Sequence, residues 1–314
     1  MTYSLSEEDY LKQHLSEIDK QNTPTSNFQT TNTNMYQRPA ELNKTASDLQ
    51  FFNFDINSLP CGQFYPKGTL FLIRAATVKE IQAYSMVDDT NIYDIVEKMN
   101  DMLASCIRLK YPDNKMGTYL DIKDQDRFYL IFMIRELTFQ QGNNLGITKI
   151  CTCGKSVELE LKRENFVLHQ IDDALKKYYY PELSGFSFET INNKEFTLTP
   201  PTIGLQKAFT DYIIKENNEN KTTNMSFLKI MPFLLNGRNS ISFEGIKSKL
   251  LEYENIDDIS FQFLNAVVNK MIFGIKEIRK QCSCGLEVHT PMEFPNGASA
   301  IFIIPDAFDA FIKR

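Results

Sequence analysis

The sequence predicts a mixed α+β protein of two similar halves, each a small β element plus a helical bundle ending in a zinc-ribbon-like β-hairpin. Three observations carry that expectation. The phrase Cys-x-Cys-Gly occurs twice, in KICTCGKSVELEL and in KQCSCGLEVHTPMEF, each time flanked by runs alternating apolar and polar residues. A strand, a set of helices and a strongly apolar helix precede both copies in the same order. Landmarks keep a nearly constant offset: Thr77 and Thr202, at matching strand-to-helix junctions, are 125 positions apart, and Cys151 and Cys282 are 131 apart. Self-similarity of this kind points to an internal duplication.

Residues 1–50 read as a flexible arm. Between positions 21 and 50, 17 residues are Asn, Gln, Ser or Thr, too few apolar groups to offset the ordering entropy. Ahead of that tether, Ser6 is a helix N-cap candidate and Leu11, Leu15 and Ile18 form a short apolar stripe. The first half is read over 51–165. TLFLIRAAT reads as a strand and VKEIQAYSMV as a short helix. NIYDIVEKMNDMLASCI places Ile92, Ile95, Val96, Met99, Met102, Leu103, Cys106 and Ile107 on one buried helical face. DQDRFYLIFMIRELTF reads as an apolar helix with Asp124 and Asp126 favouring its start.

The second half is read over 166–296. LKKYYYPE reads as a helix end that packs aromatic rings, and GFSFETINNKEFTLTPPT as a hairpin turning at Asn-Asn-Lys. IGLQKAFTDYII, NMSFLKIMPFLL (interrupted or bounded by Pro232), FEGIKSKLLEY and DISFQFLNAVVNKMIFG read as helices. Residues 297–314 form an apolar tail whose Ile301, Phe302, Ile303, Ile304, Phe308 and Phe311 call for cover by the body or a partner.

Bulk composition narrows function. The chain has 314 residues, 42% hydrophobic, with 24 Phe, 14 Tyr and a net charge of −6, so general attraction to nucleic acid or anionic lipid is not expected. Its apolar runs are far shorter than the roughly 20 residues of a membrane span, and its first residues lack the pattern of a secretory signal. There is no Gly-rich phosphate loop, no Gly-x-Ser-x-Gly and no His-Glu-x-x-His, and the three histidines are scattered.

The cysteines carry the chemistry. Glycine after the second cysteine allows a tight turn whose amides point at sulfur, and two such turns facing each other supply four thiolates. Cys151, Cys153, Cys282 and Cys284 are therefore the expected ligands of a structural Zn²⁺ with no open coordination position. Both turns are one residue shorter than the common Cys-x-x-Cys. Thiols or disulfides without metal are the alternative, and His289 is a reserve ligand. Cys61 and Cys106 are the residues on which an unrecognised cysteine enzyme would rest.

The stretch SLPCGQFYPKGTLFLIRAATVKEI, followed by DRFYLIFMIRELTF and a cysteine-glycine turn between strands, resembles the baseplate hub subunit family of T4-like tailed phages. The resemblance is best over residues 59–162 and rests on the LP-x-G-x-FYP-x-G opening, the Arg-containing apolar helix and the turn. It implies a non-enzymatic virion protein of the contractile-tail baseplate, assembled in the host cytoplasm in multiple copies. Other hub and tail proteins are the implied partners, with the tape measure protein among the candidates. Relatives tend to Cys-x-x-Cys, and this chain is long for the family. Two other readings stay open: an assembly chaperone absent from the mature virion, and a zinc-ribbon nucleic-acid-binding module.

Overall fold

A computed structural model describes residues 50–139, 145–190, 193–219, 225–234, 241–253, 255–293 and 297–302. The arm read over 1–50, Gln50 excepted, and the tail beyond Phe302 lie outside the described residues. The body is mixed α+β. Strand Leu70–Ile73 pairs antiparallel with Ile107–Lys110, placing Phe71 beside Leu109, and Ile107–Lys110 pairs onward with Met116–Gly117.

Between strands Leu70–Ile73 and Ile107–Lys110 run helices Val78–Ser85 and Ile92–Cys106. Thr77 starts the first with a capping box: its hydroxyl accepts from Glu80 N–H, and the Glu80 carboxylate accepts from Thr77 N–H. Asn91 starts the second by accepting from the Tyr93 and Asp94 amides. That helix buries Met99, Met102, Leu103 and Cys106 of the face its spacing predicts, but Ile92 is exposed, Ile95 and Val96 are half-buried, and Ile107 belongs to the following strand.

Helix Arg127–Thr138 occupies the interior. Every residue from Tyr129 to Arg135 is buried, so the segment is covered on all sides and not on one stripe. It leads to the antiparallel hairpin Gly146–Ile150/Ser156–Glu160. Strand Ile275–Gln281 pairs with Glu287–Thr290 on one edge and with Phe166–Leu168 on the other.

The hairpin read in GFSFETINNKEFTLTPPT is strands Gly185–Glu189 and Glu195–Leu198, with Phe188 opposite Phe196. In LKKYYYPE the helix stops at Lys176, and Tyr179–Tyr180 is a strand paired to Phe186 and Gly185. Tyr178 still packs on an aromatic, Phe188, at 4.7 Å between centroids. Pro232 lies inside helix Met225–Leu234. Thr202 begins helix Ile203–Asn218 by accepting from Leu205 N–H. Its backbone angles, φ −81° and ψ 161°, match the −82° and 163° of Thr77. Thr77→Ala and Thr202→Ala should each cost about 1 kcal/mol, read as a lower denaturant midpoint at unchanged slope.

One cluster of buried apolar side chains runs from Phe54 to Phe302 and draws on residues of 51–165 and 166–296 alike. A smaller one gathers Phe209, Tyr212, Leu228, Met231 and Ile246. The segments 122–126 and 199–203 are laced by backbone bonds, Asp124 N–H to Pro201 O (2.9 Å) and Ile203 N–H to Ile122 O (2.8 Å). The described start of the tail returns to the first helices. Ile301 and Phe302 are buried, Phe302 meets Tyr84 edge-on at 4.9 Å, and Arg135 Nε donates to Ile301 O at 2.7 Å. The Asp89 carboxylate accepts from Ser299 N–H and Oγ–H.

Asp124 and Asp126 stand at the helix start as read, in a short 3-10 turn that runs into Arg127–Thr138, but their side chains do other work. Asp126 does precede the helix, but its side chain makes no capping bond. It is fully buried and accepts instead from Cys61 N–H (2.8 Å) and the Tyr65 hydroxyl (2.7 Å). Asp124 accepts from Arg127 within one helical turn. A carboxylate drawn into the interior must find donors there, and the LP-x-G-x-FYP-x-G segment supplies them.

Candidate metal centre

Each Cys-x-Cys-Gly forms the turn of its hairpin, and the two turns are built alike. Cys151 N–H donates to Lys155 O and Gly154 N–H to Cys151 O, both at 2.8 Å. Cys282 N–H donates to Leu286 O at 2.8 Å and Gly285 N–H to Cys282 O at 2.9 Å. Gly154 and Gly285 have φ of 85° and 91°, and a Cβ at either position would meet open space. Backbone conformation alone therefore calls for glycine. Gly285→Ala should cost about 1–2 kcal/mol and weaken metal retention, measured as chelator-accessible metal per chain.

The turns bring together the four expected ligands. Their sulfurs all lie within 4.8 Å of one another. Cys151 Sγ is 3.7 Å from Cys284 Sγ, and Cys153 Sγ is 3.8 Å from Cys282 Sγ. A tetrahedral ion with thiolates at about 2.3 Å has sulfur–sulfur edges of about 3.8 Å, so the set fits such an ion. A disulfide, at about 2.05 Å, would be far shorter.

Electrostatics favour thiolates at two positions. The Cys153 amide on its sulfur lowers the Cys151 thiol below its ordinary value, and the Cys284 amide helps lower Cys282 to about 6. Cys153 moves the other way, to about 12. The Lys155 amide pulls it down, but hydrogen bonding to the neighbouring sulfurs, that of Cys284 above all, outweighs that. Cys151 and Cys282 are buried, whereas Cys153 and Cys284 are exposed. Polar ties run between the hairpins as well: Lys155 Nζ to Ser283 Oγ at 3.1 Å and Lys280 Nζ to Glu160 at 3.2 Å.

The remaining candidates fall elsewhere. His289 is not part of the cysteine group; its ring nitrogens lie 3.3 Å from Glu277 and 3.4 Å from Glu287. Burial raises the Cys61 thiol well above its ordinary value and Cys106 to about 12, so both are held as protonated core thiols. Sequence reasoning missed the cluster around Asp126, because no local pattern announces a carboxylate whose partners lie about 60 positions away.

Fold and site together define a mixed α+β protein whose four clustered cysteines could hold a metal ion. Comparison with protein-family models, curated proteins and solved structures finds no match to this chain.

Proposed function

We propose that this chain is a structural component of a contractile-tail phage baseplate, working in the central hub through protein–protein contacts and catalysing no reaction. Its two halves descend from one duplicated unit, and a structural Zn²⁺ on Cys151, Cys153, Cys282 and Cys284 clamps their zinc-ribbon-like hairpins together. Four thiolates would fill a tetrahedral zinc and leave no position for water or substrate, which suits a clamp and not a catalyst. The matching caps at Thr77 and Thr202 and the matching cysteine turns support the duplication.

The observation that carries the hub reading is the family-like stretch 59–162. Its LP-x-G-x-FYP-x-G opening buries Leu59, Cys61, Phe64 and Tyr65, and its apolar helix runs through the interior. Pro60 and Gly62 are buried with them, while Gln63, Lys67 and Gly68 are exposed, so the apolar positions of the motif are the ones fixed by packing. The partners are other hub and tail proteins, with the tape measure protein among them, and the mature site is the virion.

Mass spectrometry of purified particles of the encoding phage tests this. The chain should be present in stoichiometric amount with about one zinc per copy. A chain that is required for tail assembly but missing from finished particles is a chaperone. Salt-dependent binding of the pure protein to DNA or RNA would favour the nucleic-acid module instead.

A further inference from the structure

Two sulfur–sulfur contacts cross from one hairpin to the other. Cys151 faces Cys284 at 3.7 Å, and Cys153 faces Cys282 at 3.8 Å. Each crossing pair has one buried member and one exposed member: Cys151 with Cys284, and Cys282 with Cys153. An oxidant arriving from solvent meets Cys153 and Cys284 first, and each has a buried sulfur of the opposite turn within 3.8 Å. Bonding Cys151 to Cys153, or Cys282 to Cys284, would close a small ring over one residue. It would also disturb the amide–carbonyl bonds that shape each turn.

We propose that oxidation exchanges the metal for two disulfides that cross between the hairpins, Cys151–Cys284 and Cys153–Cys282. The metal-release part rests on the zinc reading of the cluster; the pairing of the cysteines does not. With hydrogen peroxide as oxidant, an exposed thiolate attacks a peroxide oxygen. The O–O bond breaks, hydroxide leaves, and a sulfenic acid forms. The facing thiolate attacks that sulfur, the S–S bond forms and a second hydroxide leaves. For both pairs, four zinc-bound thiolates, two peroxides and four protons give two disulfides, one zinc ion and four waters. The hairpins therefore stay joined in both states. A particle assembled in a reducing cytoplasm and released into an oxidising medium keeps its staple.

The test uses the full-length wild-type protein, its metal content measured beforehand, titrated with hydrogen peroxide. Zinc release is followed with a colorimetric chelator, and disulfides are mapped by mass spectrometry of a tryptic digest without reductant. The expected product joins the peptide starting at Ile150 to the one starting at Gln281, four hydrogens lighter in total. Partial reduction should assign the pairs 151–284 and 153–282. Loss of about one zinc per chain should accompany it. Disulfides confined to each peptide, sulfinic or sulfonic acids without links, or the pairs 151–282 and 153–284 would overturn the proposal. A protein that is isolated metal-free yet links crosswise refutes the zinc reading and leaves the pairing standing. A zinc-loaded protein that oxidises within each turn does the reverse.

Discussion

Cys282→Ser is expected to release the metal and abolish the cooperative unfolding transition of the body. Cys282 is buried, receives the Cys284 amide, and stands within 4.8 Å of three other sulfurs. Serine at that position cannot supply the thiolate, and three remaining thiolates hold a tetrahedral ion far more weakly. Binding of a structural zinc can be worth on the order of 10 kcal/mol, comparable with the whole stability of a typical domain, about 5–15 kcal/mol. Cys151→Ser should behave the same way, because Cys151 occupies the matching position in the other turn. Metal analysis and circular dichroism melting with and without chelator measure both effects. Protons compete with metal for the sulfurs, so the stability the metal provides is present at neutral pH. It should fade as pH falls, because each sulfur must be free of its proton to bind the metal. A metal-free protein with the wild-type melting curve would defeat the clamp.

Asp126→Ala should destabilise the body by about 3–5 kcal/mol, since removing one member of a buried charged network leaves the others uncompensated. Three groups lose a partner. Cys61 N–H and the Tyr65 hydroxyl lose their acceptor, and the Lys123 ammonium loses a carboxylate that offsets its charge. The Lys123 amide in turn donates to the Tyr65 oxygen at 2.8 Å, while its ammonium donates to Pro200 O and Thr199 Oγ1. The network thus fastens segment 61–65 to segment 123–126 and on to 199–200. Tyr65→Phe removes the donor to Asp126 and the acceptor of the Lys123 amide but leaves no charge uncompensated, and should cost less, about 1–3 kcal/mol. Lys123→Met combined with Asp126→Asn should cost less than the two single changes added together, a coupling that a double-mutant cycle reads directly.

The pH dependence of this network has a definite sign. Burial raises the folded Asp126 carboxyl to about 7, against about 3.9 in an unfolded chain. Between those values the folded state binds more protons. The contribution of Asp126 to stability therefore falls as pH rises from about 4 to 7 and is least favourable above that. Burial lowers Lys123 to about 8 from its ordinary value, so its contribution is least favourable below that and recovers as pH rises beyond it. Relative to wild type, Asp126→Ala should flatten the acid-side slope. Chemical denaturation at pH 5, 6 and 7 would detect the change.

Elements with strong local signals were legible in advance. Helix Ile92–Cys106 follows its apolar spacing over its second half, from Met99 to Cys106, and the Gly185–Glu189/Glu195–Leu198 hairpin follows its alternation. The cysteine turns announced themselves because both the ligand spacing and the glycine that makes the turn are encoded within four residues. Where local and long-range demands differed, the longer range prevailed. Tyr179–Tyr180 extends as a strand after a four-residue helix, because an adjacent strand at Gly185–Phe186 offers hydrogen bonds that a helix end would forgo.

By itself the sequence determined the α+β character, the buried stripe from Met99 to Cys106 and the identity of the four clustered cysteines. Each of these depends on periodicity or on a turn a few residues long. Only the tertiary structure decided which sulfurs face one another, that Asp126 serves the Tyr65 loop and not its own helix, and that Arg135 and Asp89 hold residues 299–301. The reason is physical: a buried polar group must be satisfied by whatever donors the packed chain delivers to it. Those donors come from about 60 to 210 positions away, beyond the reach of any local pattern.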